Sequence, residues 1–172
     1  ASPRRPLRGL CPSLAKGGRA RLSLSAQFFE THGGTQVNAG LAHTDLVVRS
    51  LETAATRCDD LTPAVYARLF AAMPDVRPLF RKEAKLVQGE MLARAIEAIL
   101  DYCGPRAYGA NLVMSEVVNH AAYDLPPQAF SRFFGFVADA VRGVIGPDWT
   151  AETAAAWKAM IEEISAEAAA AS

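Results

Sequence analysis

Beyond Thr44 the apolar residues recur at the helical period. Val47, Leu51, Ala54, Ala55 and Cys58 fall at i, i+4, i+7, i+8 and i+11, which places them on one helical face. Thr62-Pro63 reads as an N-cap with proline in the first turn, and it predicts a helix through about Met73. Pro74 and Pro78 leave room for only a tight turn of helix ending at Phe80. A longer helix is predicted from about Ala84 to Tyr102, with Leu92, Ile96, Ile99 and Leu100 on its inner face, stopped by Gly104-Pro105. The next runs from about Ala107 to Ala122. Pro126-Pro127 opens another, whose apolar stripe is Phe130, Phe133, Phe134, Val137, Val141 and Val144. Gly146-Pro147 breaks it, and Thr150 caps a last helix that buries Trp157, Met160, Ile161 and Ile164. Strand-like alternation is nowhere competitive. The pattern predicts an all-α chain of six to seven helices.

Composition agrees and adds a boundary. The 172 residues suit one domain, and 51% hydrophobic content is enough for a core. With 33 alanines the chain favours helix over sheet. Residues 1–40 carry six basic residues and one acid, whereas 41–172 carry 12 basic and 17 acidic, so a basic front of net +5 precedes a body of net −5. The front also holds six of the twelve glycines. A segment so basic and so poor in apolar residues does not fold alone, so residues 1–43 are expected to be a flexible extension and 44–172 the folded domain. The chain opens on Ala rather than Met, and its front reads either as a tail or as a targeting peptide.

Several classes fall away. Balanced charge, 18 basic against 18 acidic, argues against a nucleic-acid-coating protein. No apolar run is long enough for a membrane span. Cys11, Cys58 and Cys103 are widely spaced and odd in number, which excludes a disulfide scaffold or a zinc ribbon and suits a cytoplasmic protein. There is no P-loop, dinucleotide fingerprint, HExxH or nucleophile elbow. Of the three histidines, His32 and His43 lie in or beside the glycine-rich front. His120 alone sits inside a strongly helical segment, with Val117 and Val113 on the same face. A lone imidazole facing apolar surroundings is either a satisfied core histidine or a metal ligand, and a five-coordinate haem iron requires one such group.

The surrounding motifs favour the ligand. Val65-Tyr66-Ala67-Arg68-Leu69-Phe70 followed by Pro74-Asp75-Val76-Arg77-Pro78-Leu79-Phe80, then Lys85 to Leu92 containing Gln88, then Val118-Asn119-His120, resemble successive helices of the bacterial single-domain globins and of the globin domain of flavohaemoglobins. Each motif is weak alone. Their joint spacing carries the resemblance: Tyr66 to Phe80 is 14 residues, Gln88 to Leu92 one turn, and Gln88 to His120 32 residues. It extends from Asp45 to the C-terminus. The resemblance implies a globin fold around one haem b, with His120 as the proximal iron ligand and Phe80 stacked on the porphyrin. Tyr66 and Gln88 become the distal polar pair, Leu92 the apolar distal wall, and Val117 and Phe130 further haem contacts. Bound O₂ gains negative charge, and a phenol O–H or amide N–H aimed at it stabilises that charge.

Two departures bear on the activity. The tyrosine and glutamate that flavohaemoglobin-like globins place behind the proximal histidine have no match, since the tyrosine position reads Phe130. One turn before His120 stands Glu116, where an apolar residue is usual; its carboxylate either accepts the second imidazole N–H or points to solvent. The primary expectation is therefore reversible binding of O₂, and of NO and CO, with no catalytic residues assigned. The alternatives are NO dioxygenase or peroxidase-like chemistry with an external reductase, a haem-based gas sensor acting through a partner, and a haem-free helical module.

Overall fold

A computed structural model describes residues 39–80, 84–121 and 127–170, with the side chains of 39–42, 121, 127, 128 and 130 outside that description. The described residues form six α-helices and two short 3-10 segments, with no strand. In chain order these are α1 (Ala39–Arg57), α2 (Thr62–Ala72), the 3-10 segment Pro74–Leu79, α3 (Ala84–Cys103), α4 (Gly109–Ala121), α5 (Pro127–Ile145), the 3-10 segment Gly146–Asp148, and α6 (Ala151–Ala170). The all-α expectation holds. The helix break at Pro74, the stop at Gly104-Pro105 and the break at Gly146 all fall where the residues placed them.

The helix ends show which local signals acted. Thr150 Oγ1 accepts the N–H of Thr153 at 3.2 Å, so it caps α6 as expected. Thr62 does not cap α2 with its own side chain. It is the first helical residue, and its N–H is taken by Asp60 Oδ1 at 2.8 Å. Gly146 closes α5 at φ +58°, a left-handed conformation that glycine adopts without steric cost. Helix α1 starts at Ala39, ahead of the point where apolar periodicity becomes legible. The expected opening of α5 by Pro126 lies outside the described residues, as do residues 1–38.

The core forms where α6 packs against α1, α4 and α5, and where α5 also meets α1 and α2. Val47, Val65, Ile99, Val137, Val141, Trp157 and Ile164 are essentially inaccessible there. The single polar atom of Trp157 is satisfied in place. Its indole N–H donates to Ser50 Oγ at 2.8 Å, and the Ser50 hydroxyl donates to the carbonyl of Val47 at 2.7 Å. Arg57 ties the ends of two helices, donating to the carbonyl of Ile145 at 2.7 Å and pairing with Asp148. Among the described residues no helix is long and apolar enough to cross a membrane.

Candidate functional site

Helix α4 is built to present His120. Its first turn is anchored by Asp101, from the end of α3. The Asp101 carboxylate is buried and accepts the N–H groups of Ala107, Tyr108 and Gly109 at 3.1, 3.2 and 2.6 Å. These are donors that the helix itself cannot satisfy. Burial alone would raise the Asp101 pKa, but the three donors outweigh it and hold the carboxyl below the ordinary carboxylate value. A Cβ on Gly109 would stand 2.8 Å from Asp101 Oδ2, so glycine is what lets the carboxylate come this close. The preceding corner turns through Arg106 at φ 53°, which bonds the Tyr102 carbonyl and pairs with Glu163 of α6. The helix predicted from Ala107 begins at Gly109, with Asp101 capping that start.

Val113 and Val117 form the buried side of α4, and His120 follows near its end, partly exposed. The His120 Nδ1 lies 2.6 Å from the carbonyl oxygen of Glu116. A carbonyl can only accept, so Nδ1 carries the proton and, in the neutral ring, Nε2 carries the lone pair. This is the tautomer a metal ligand needs. The carboxylate of Glu116 lies beside His120 but does not bond its N–H. The backbone oxygen of Glu116 takes the imidazole N–H, and the carboxylate is not a solvated end. It is held by Arg94 of α3, with Nη1 to Oε1 at 2.9 Å, while Oε2 remains 3.7 Å from Nδ1.

Tyr66 lies on α2 and is 2% exposed. Its ring is enclosed by Phe70, Phe80 and Phe133, at centroid separations of 5.8, 5.3 and 5.7 Å. Among the described residues its buried hydroxyl has no hydrogen-bond partner. Burial pushes the phenol pKa well above its ordinary value, so the group stays a protonated donor. Leaving such a hydroxyl unpaired costs about 1–3 kcal/mol.

The other expected site residues lie on nearby elements. Phe80 follows the Pro74–Leu79 segment and packs edge-on against both Tyr66 and Phe70. On α3, Gln88 is partly buried one turn before the buried Leu92, and α3 packs against both α2 and α4. Gln88 and Tyr66 are not bonded to each other, since the Tyr66 hydroxyl has no partner. Val117 is buried in α4. Phe130 falls within α5, but its side chain lies outside the described residues. His43 is exposed on α1, and His32 lies outside the described residues.

Sequence reasoning missed three residues. Phe133, one position of the apolar stripe, places its ring against Tyr66; its place one turn after Phe130 was the available signal. Phe70, four residues after Tyr66, closes another side, with the Arg77 guanidinium 4.7 Å over its ring. Arg94 gave no local signal for pairing with Glu116, because the two are 22 residues apart.

Among the described residues no cluster of His, Cys, Asp and Glu would hold a bare metal ion. The donor chemistry, one imidazole of that tautomer on α4 and one buried phenol on α2, is of the kind that suits an iron already held in a porphyrin. A protein-family model described as Globin matches residues 63–168, more than half of the chain. No curated protein matches the chain.

Proposed function

The chain belongs to the globin family, which implies haem binding and diatomic gas ligands, and from that premise we propose that it holds one haem b through His120 and binds O₂ reversibly. When bound, the haem supplies an iron with one position open to a diatomic gas. The protein supplies everything that sets how that position behaves. His120 offers Nε2, with its ring orientation fixed by the Nδ1–H bond to the Glu116 carbonyl. Tyr66 supplies a protonated O–H in an apolar, water-poor enclosure, where a donor has most effect on developing negative charge. Gln88 is the second donor, Leu92 and Val117 are apolar walls, and Phe80 and Phe130 are ring contacts.

The observation that carries this reading is the Tyr66 hydroxyl, buried and unpartnered. A core tyrosine without a task directs its O–H to a partner or to water. The resemblance to bacterial single-domain globins in residue spacing supports ligand binding as the elementary activity, and any turnover would call on a separate reductase. The test is the absorption spectrum of ferric, ferrous and CO-bound protein beside His120→Ala. A Soret band in the wild type that is lost or greatly weakened in His120→Ala, but retained in His43→Ala, is expected. Normal haem incorporation by His120→Ala would overturn the assignment.

A further inference from the structure

One imidazole N–H faces two acceptors that belong to the same residue. The Glu116 carbonyl lies 2.6 Å from His120 Nδ1, and Glu116 Oε2 lies 3.7 Å away, beyond hydrogen-bond reach. A carboxylate is ordinarily the stronger acceptor, since a charge-assisted bond is roughly twice as strong as a neutral one. Its exclusion therefore needs a cause. The Glu116 side chain is 18% exposed, and its other oxygen is engaged by Arg94 Nη1 at 2.9 Å, reaching across from α3. The Arg94 side chain is 62% exposed, so the pair adds little to fold stability.

We infer that Arg94 is a positioning residue for His120: it anchors the Glu116 carboxylate away from Nδ1 and leaves the N–H to the backbone carbonyl. The inference rests on the reading of His120 as the haem ligand. A carbonyl partner leaves the imidazole nearly neutral. A carboxylate partner draws the proton toward itself, makes the ring more basic, and strengthens its bond to iron. Arg94 thus sets ligand strength from the helix that also carries Gln88 and Leu92. Its guanidinium also offsets the carboxylate charge that His120 experiences.

The test uses full-length protein loaded with haemin and then reduced, read by the ferrous Fe–His stretching frequency and by the midpoint potential. Arg94→Gln is expected to raise the frequency and lower the potential, because the freed carboxylate turns to Nδ1. Arg94→Lys keeps the charge and is expected to stay near wild type. In a Glu116→Gln background Arg94→Gln should shift neither quantity. Haem-free Arg94→Gln should melt with the wild type, which separates this role from a structural one. An Arg94→Gln protein with wild-type frequency and potential, or one shifted equally in both backgrounds, would overturn the inference while leaving the haem reading intact. A wild type that takes up no haem would overturn the haem reading itself, and this inference with it.

Discussion

Replacing Tyr66 with Phe should make the haem-free protein more stable, not less. The substitution keeps the ring and its contacts with Phe70, Phe80 and Phe133, and removes one oxygen atom. That oxygen is buried, has no partner, and carries the desolvation cost of an unpaired hydroxyl. Relieving it is worth about 1–2 kcal/mol. For a chain of this length each kcal/mol moves the melting temperature by roughly 2–4 °C, so the apo-protein should melt about 2–8 °C higher. The assay is thermal or urea unfolding of haem-free wild type and Tyr66→Phe, followed by far-ultraviolet circular dichroism. With haem and O₂ present the benefit should shrink or reverse, because the hydroxyl then has a partner to lose. A lower melting point for haem-free Tyr66→Phe would mean that the hydroxyl is already satisfied, and would remove the main support for a donor held in reserve.

Asp101→Ala strips three N–H groups at the start of α4 of their acceptor and should cost about 2–4 kcal/mol, weakening haem retention along with the fold. Because the folded-state pKa of Asp101 is depressed, its stabilisation is complete above the unfolded value of about 3.9 and is lost as pH falls through the folded value. The stability gap between wild type and Asp101→Asn should therefore narrow in acid unfolding curves below about pH 4, and a constant gap would contradict the cap. Gly109→Ala places a Cβ against Asp101 Oδ2 and should destabilise by on the order of 1–3 kcal/mol. That cost should shrink but not vanish in an Asp101→Ala background, as unfolding of the double mutant would show, because Tyr102 Cδ2 at 3.2 Å and the Cβ of residue 101 at 3.3 Å stay close.

What the residues made legible follows the range of the forces involved. Helix existence and most breaks rest on local signals, apolar period and proline or glycine, and these placed α2, α3, α5 and α6 within a few residues. His120 stood out as a polar group on an apolar helical face, and Tyr66 only through the motif spacing that resembles globins. The start of α4 was misplaced because its cap comes from Asp101, in the helix before it. The early start of α1 was invisible because Ala39 to His43 show no contrast between faces. Glu116 resisted reading for the same reason as Arg94. Which acceptor faces Nδ1 is decided by how α3 packs on α4, and periodicity within either helix does not encode that. That Phe133 meets Tyr66 is set by how α5 packs on α2, which the apolar stripe alone does not encode.

The most direct test of Tyr66 as the donor to the gas is a pair of dissociation rates, for O₂ and for CO, in wild type and Tyr66→Phe. A hydrogen bond to a charged acceptor is worth about 1–3 kcal/mol, so its loss should speed O₂ release by roughly 5- to 150-fold. CO is far less polarised and should respond much less. A large rise for O₂ beside a small one for CO is the expected result; equal changes in both, or none in either, would contradict it.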